Sequence, residues 1–339
     1  MSDSVTLWLR DAKMTLSAGA SLGSTLYRVP VTISLTGTLG AGKTTFLQGL
    51  GSALGITQRL TSPTYALEQR YPLEHFGELL HIDLYRLSAK DALHLIHSSD
   101  HHHGIRCIEW ADRLPDGTPD DACITIHLSE RQDGAGRDLT VTFQDIALPS
   151  PEQVRRWREE VCLPHLIARH CDAVSDAAVR LGEELIQRGH IVRLGALRAA
   201  ASVHDLLRFV DFHRGTGHIE KEINPDHERT WEEVKAGYPG LHHEAAAAKF
   251  LVGKGFPELA EIVRVHGLTL ADSTRITTEQ RLLYYADKRV KIDEVVSLEE
   301  RLRDFTERYS HLGQLRESDA WYEEARKTER ELFPDGPPF

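Results

Sequence analysis

Val31-Thr32-Ile33-Ser34-Leu35-Thr36-Gly37-Thr38-Leu39-Gly40-Ala41-Gly42-Lys43-Thr44-Thr45 decides the fold of the first half of this 339-residue chain. From Gly37 to Thr44 it satisfies G-x-x-x-x-G-K-[ST], the spacing of a phosphate-binding loop. The β-branched run Val31 to Leu35 predicts a buried strand. Beyond the loop, Phe46, Leu47, Leu50 and Leu54 recur at helical spacing, and Gly55 is placed to cap that helix. Glycines let the backbone curl so that successive N–H groups face phosphate oxygens, and the helix N-terminus adds its dipole. The expected phosphate cradle is therefore Gly37, Leu39, Gly40, Ala41, Gly42, Lys43, Thr44 and Thr45. Lys43 would reach the β- and γ-phosphates, and the Thr44 hydroxyl would hold Mg2+. Two Gly, one Lys and one Ser/Thr at these offsets arise by chance in roughly 1% of chains this long, and the flanking strand and helix lower that further.

Downstream, Thr61-Ser62-Pro63-Thr64-Tyr65 is a hydroxyl-rich turn. Leu79 to Tyr85 reads as a buried strand with Asp83 near its C-terminal end, where P-loop enzymes place a metal-associated acid. A solvent-exposed strand-end carboxylate would give the same local pattern, and Glu109 in the short strand Arg106 to Trp110 is similar. Cys123–Leu128 and Leu139–Phe143 alternate apolar and polar residues across a Gly-containing turn, which predicts a hairpin. With Val5 to Leu9 as a further strand and a weak helical pattern over Thr15 to Leu26, the first half is α/β with an antiparallel edge. His101-His102-His103 reads as a solvated loop.

Composition sets outer limits. A chain of 339 residues is long enough for two domains, each with its own core. Its 41% hydrophobic and 27% charged content is that of a globular protein, and a net charge of −11 excludes broad nonspecific adhesion to nucleic acid. The four cysteines form no C-x-x-C pair, which argues against a zinc ribbon or a disulfide scaffold. No apolar run approaches membrane-spanning length, and Met1-Ser2-Asp3 does not begin a signal peptide, so the expectation is a cytoplasmic protein without a membrane partner.

A boundary is expected near residue 148, where Ser150, Pro151 and Gln153 spell an N-cap, a first-turn proline and a capping box. Beyond it the segments 172–188, 195–207, 243–253, 257–267 and 278–290 are helix-like, no alternating strand pattern appears, and residues 213–240 read as a polar insertion. His204-Asp205 is the second constellation. The dipeptide is weak by itself in a chain with 19 histidines. Its company strengthens it: His170 opening a helix, His243 before an alanine run, His266 ending an apolar helix, and Asp287 in Leu283-Tyr284-Tyr285-Ala286-Asp287-Lys288. Imidazoles and carboxylates on helices can converge on one or two divalent metals, leaving positions for water and a phosphate oxygen.

The first half resembles the TsaE family of bacterial P-loop ATPases over about residues 15–130, through GTLGAGKTT (37–45), SPTY (62–65), HIDLYRL (81–87) and IEW (108–110). The resemblance implies ATP binding and Mg2+-dependent hydrolysis in support of the threonylcarbamoyl-transferase complex, which modifies the tRNA adenosine beside the anticodon, so that tRNA is an indirect partner. It implies Lys43 and Thr44 as nucleotide residues, Asp83 as the Mg2+-associated acid, Thr64 in a switch-like segment, and Glu109 with Trp110 behind the site. Thr38 departs from the family's usual acid. The second half resembles the HD phosphohydrolase superfamily, which implies an all-α domain with His170, His204, Asp205, His243, His266 and Asp287 as ligands of one or two divalent metals, Asp205 also serving catalysis. His242 is an alternative to His243; Arg208 stands where a lysine is common, and Leu206-Leu207 replace an Ile-small pair. A nucleotide or phosphate ester is the implied substrate. The expected organisation is a P-loop ATPase domain over 1–148 and an HD domain over 149–339. The alternatives are a small-metabolite kinase and an ATPase whose second domain only binds; the absence of N-K-x-D disfavours a GTPase.

Overall fold

The computed structural model describes residues 3–115, 118, 122–132, 134–212, 225–268, 274–309 and 315–339. They fall into two compact units, Met1–Ile146 with Leu185–Arg193, and Ala147–Glu184 with Leu194–Phe339.

The first unit contains β1 (Asp3–Leu9), α1 (Ala12–Gly23), β2 (Val31–Thr36), α2 (Lys43–Ala53), β3 (Glu68–Leu73), β4 (Gly77–Asp83), α3 (Ala89–Ser98), β5 (Ile105–Glu109), β6 (Cys123–Glu130) and β7 (Arg137–Phe143). One sheet runs in the order β1-β7-β6-β2-β5-β4-β3. Its centre is parallel, with β2 between β5 and β6 and β4 beyond β5, whereas β7, β1 and β3 pair antiparallel toward the two edges. The expected hairpin is β6–β7, and the expected antiparallel edge is present on both sides. Helix α1 begins with the Asp11 side chain accepting from Met14 N at 2.8 Å. Helices α1 and α2 touch backbone to backbone: a Cβ on Gly19 would lie 2.0 Å from the Phe46 carbonyl oxygen, and one on Gly49 2.0 Å from that of Leu16.

The segment Leu185–Arg193 completes this unit. Ile191 joins its core, and its backbone N–H donates to Ser21 Oγ at 2.8 Å. The fully buried Arg193 donates to both oxygens of Asp145 at 2.7 and 2.8 Å and to the Thr25 carbonyl at 2.8 Å, with its guanidinium 4.1 Å from the Phe143 ring centroid.

The second unit is helical: α4 (Pro151–Glu160), α5 (His165–Gln187, whose last three residues count with the first unit), α6 (Leu194–Val203), α7 (Pro225–Ala236), α8 (His243–Gly253), α9 (Pro257–Val263), α10 (Thr278–Arg289), α11 (Leu298–Tyr309) and α12 (Leu315–Leu332). Helix α4 starts with the predicted capping box at Ser150 and Gln153. A two-residue strand pair, β8 (Val290–Lys291) with β9 (Glu294–Val295), interrupts the all-helical expectation; two residues per strand are too few to show alternation. Helix α10 is buried from Leu282 to Arg289, so its charged residues must find partners inside. Within the stretch read as a polar insertion, Pro225–Ala236 is helical, and 213–224 lie outside the described residues. His170 stands inside α5 rather than opening it, because Pro164 sets an earlier start, and His266 lies three residues past the end of α9.

Candidate functional sites

At the end of β2 the chain enters left-handed backbone at Gly37 (φ 135°), Gly40 (φ 80°) and Gly42 (φ 104°), conformations that favour glycine. Lys43, buried at the start of α2, donates from Nζ to the Gly37 and Thr38 carbonyls at 2.7 and 3.0 Å. The same ammonium lies 3.7 Å from the Trp110 ring centroid, and Trp110 is held in left-handed backbone against Tyr85. Burial pushes Lys43 below its ordinary pKa, against the opposing pull of Glu109, Asp112 and Asp83. Leu39 is exposed at the loop tip, Ala41 is buried beneath it, and Thr45 is half-buried in the first turn of α2.

Two carboxylates stand at neighbouring strand ends, for Asp83 on β4 and Glu109 on β5 are paired in register. Glu109 Oε1 accepts from Thr44 Oγ1 at 2.7 Å. Asp83 Oδ2 accepts from Ser62 and Thr64 hydroxyls at 2.7 and 2.6 Å, and its Oδ1 from Tyr85 N at 2.9 Å. Both are buried, unlike the exposed strand-end acids that would also have matched the sequence. The loop, Thr44 with Glu109, and Thr64 with Asp83 are thus assembled on one set of strand ends. Two residues join them that the sequence reading missed. His81, fully buried, has Nε2 3.0 Å from Glu109 Oε1. Arg137 on β7 lies against the loop, since a Cβ on Gly42 would be 2.6 Å from its Nη1. His81 carried a local signal, alternating with Asp83 along one strand; Arg137 carried none.

In the second unit all six expected ligands converge. Asp205 Oδ1 lies 3.1 Å from His243 Nε2 and 3.5 Å from His266 Nε2, which are 3.3 Å from each other. A tetrahedral metal with bonds of about 2.0–2.1 Å separates its ligands by roughly 3.3–3.4 Å, so this triangle has the dimensions of one face. On the other side of Asp205, Asp287 Oδ1 is 3.0 Å from His170 Nε2 and 3.7 Å from His204 Nε2, with Asp205 Oδ2 3.8 Å from the latter. His170, His204 and Asp205 form one candidate metal-holding group, and Asp205, His243 and His266 another. The donors fit such ions. His204 Nε2 is buried without a hydrogen-bond partner, while the Nδ1 atoms of His170, His204 and His266 face the carbonyls of Ile292, Ala201 and Val263 at 2.8, 2.7 and 2.6 Å. Donating Nδ1–H there leaves each Nε2 with a lone pair pointing inward. Of the two adjacent histidines, His243 is buried within the cluster, while the His242 side chain is 81% exposed.

Cationic side chains face the buried carboxylates of this cluster. Burial would raise Asp205 and Asp287, yet His204, Arg208 and His243 hold Asp205 well below the carboxylate range, and Lys288, His170 and His204 do the same for Asp287. Arg208 Nη1 is 2.8 Å from His243 Nε2, a cation at the rim of the donor set. Lys288, the neighbour of Asp287 in the sequence, brings its Nζ to 2.5 Å from Asp287 Oδ2.

Residues 9–139 match the family model described as threonylcarbamoyl adenosine biosynthesis protein TsaE. A relative from Treponema pallidum, named tRNA threonylcarbamoyladenosine biosynthesis protein TsaE, is 35% identical over 136 residues, covering 39% of this chain and 96% of its own length. The chain belongs to the TsaE family. The relative of the same name from Nostoc sp. is 43% identical over 114 residues, 32% of this chain and 69% of that protein. Among solved structures, the crystal structure of Bacillus subtilus YdiB is similar at 25% identity, over 42% of this chain and 88% of that one, with a TM-score of 0.33. The TsaE-family match ends at residue 139, so the second unit is read from its own geometry. No helix among the described residues is long and apolar enough to cross a membrane.

Proposed function

We propose that residues 1–148 bind and hydrolyse ATP with Mg2+ in support of tRNA threonylcarbamoylation, working with threonylcarbamoyl-transferase subunits, and that residues 149–339 form an HD-type phosphohydrolase. The observation that carries the first part is the pairing of Lys43 with the Gly37 and Thr38 carbonyls and of Thr44 with Glu109 in one glycine-bent loop. These are the groups that phosphate oxygens and a metal would engage. Lys43 and the loop amides would neutralise charge growing at the β/γ bridge, Thr44 with Asp83 and Glu109 would hold the metal and its water, and Thr64 would report the γ-phosphate through its bond to Asp83. Arg137 would add a second cation beside the loop.

The test is multi-turnover formation of threonylcarbamoyladenosine on tRNA by the partner complex, with this protein, with its Lys43→Ala form, and with neither. Stimulation by the unaltered protein alone is expected; equal stimulation by Lys43→Ala would sink the assignment.

In the second unit, metals held by His170, His204, Asp205, His243, His266 and Asp287 would activate water and polarise a phosphate oxygen. The chain's own residues set the rest: Asp205 presents one oxygen to each triad, and Arg208 offers its guanidinium to an entering phosphate. Asp205→Ala is expected to lower bound metal, and unchanged metal content would reject this site.

A further inference from the structure

We infer that Asp211 is a positioning residue that makes one of the two triads, Asp205 with His243 and His266, the tighter metal site. This rests on the metal-binding reading of the second unit. His170, His204 and His266 each direct Nδ1 to a backbone carbonyl. His243 differs, because its Nδ1 is 2.5 Å from Asp211 Oδ2 and 3.3 Å from Glu244 Oε2. Asp211, His243 and Glu244 lie close enough together to suggest a third metal group. The ring argues against it: Nε2 faces Asp205, His266 and Arg208 Nη1, and a neutral imidazole with its lone pair there carries its single proton on Nδ1. The two carboxylates therefore surround a ring N–H, not a cation.

Asp211 also fixes where the ring sits. His243 is the first residue of α8, and the N-cap residue His242 supplies no side-chain cap. Asp211, from the 3-10 turn Arg208–Asp211, supplies it instead, with Oδ1 accepting the His243 backbone N–H at 3.2 Å. One carboxylate thus holds both the backbone and the ring of the same residue, with Nε2 directed at Asp205. Glu244 reaches the same nitrogen because Gly267 leaves room: a Cβ there would lie 2.0 Å from Glu244 Oε1. A carboxylate acceptor raises the basicity of an imidazole ligand more than a peptide carbonyl does, and loss of such a partner typically costs about 10- to 100-fold in metal affinity. Hence the two triads are unequal, and Asp211 sets the difference.

The experiment titrates the metal-stripped full chain with Zn2+ and, separately, Mn2+ against a chromophoric chelator. Asp211→Asn retains an oxygen for the helix cap but loses the charged acceptor, and Asp211→Ser retains a cap without reach to the ring. The expected result is two binding steps of unequal affinity in the unaltered chain, with the tighter one weakened about 10- to 100-fold in either variant. Equal affinities in the unaltered chain, or variants that bind like it, would overturn the role of Asp211 while leaving the metal site standing. No binding by the unaltered chain would overturn the underlying reading instead.

Discussion

Arg193→Met tests whether the segment after α5 belongs energetically to the nucleotide-binding unit. The substitution keeps an unbranched apolar stem against Phe143 but leaves Asp145, whose side chain is 1% exposed, without its bidentate partner. It also deprives the Thr25 carbonyl of a donor. Removing one member of a buried ion pair costs about 3–5 kcal/mol, because the remaining charge is uncompensated. For a unit of roughly 150 residues that is a fall in Tm of roughly 6–20 °C. Calorimetry reads the size of the loss, and exchange of amide hydrogens in peptides from β2 and α1, compared with α8 and α9, reads which unit lost it. The double variant Arg193→Met with Asp145→Leu is expected to recover most of the stability, since no buried charge is then orphaned. A single variant costing less than about 1 kcal/mol, within the range of an exposed pair, would refute the reasoning. The same argument predicts that a fragment ending at residue 148 binds nucleotide less durably than one ending at 193, because only the longer one retains Ile191 and Arg193.

Gly42→Ala combines a backbone at φ 104° with a Cβ placed 2.6 Å from Arg137 Nη1, so nucleotide binding measured by fluorescent ADP titration is expected to fall at least tenfold while the sheet remains folded. His81→Phe removes the buried imidazole beside Glu109 Oε1; the Mg2+ concentration for half-maximal turnover is expected to rise several-fold, and an unchanged Mg2+ dependence would count against a role for His81 in holding Glu109. In the metal-stripped chain burial pushes His204 and His243 down, but Cys171 and Asp205 around His204, and Asp205 beside His243, more than offset it and hold both above the ordinary imidazole value. Their contribution to stability is complete below about pH 6.5 and is lost as pH rises through the folded values, whereas that of the depressed Asp205 and Asp287 is complete above about pH 4 and lost on acidification. Unfolding of the second unit in excess chelator is therefore expected to show greatest stability at mildly acidic pH, and a steady rise from pH 6 to 8 would contradict it.

What could be read in advance follows from how each site is built. The phosphate loop is contiguous, so residue type and spacing alone locate Lys43 and Thr44, and the strand before them is a run of buried residues. The residues of the candidate metal cluster are dispersed, yet each is a chemically specialised His or Asp, and all but His170 lie at or near a helix end. Element limits are less legible: apolar periodicity puts His170 and His266 at helix ends, whereas α5 starts after Pro164 and α9 ends at Val263. Groups that act through another residue have no such signature. Asp211 is one of 51 acidic residues and lies in no periodic segment; only closure of the Arg208–Asp211 turn onto the start of α8 brings it to His243. Arg193 is one of 40 basic residues, and its partner Asp145 is 48 positions away. A ligand is chosen for what its own atoms can do, so its identity is informative. A positioning residue is chosen for where the fold delivers it, and almost any carboxylate delivered there would serve, so its identity says little until the fold is known.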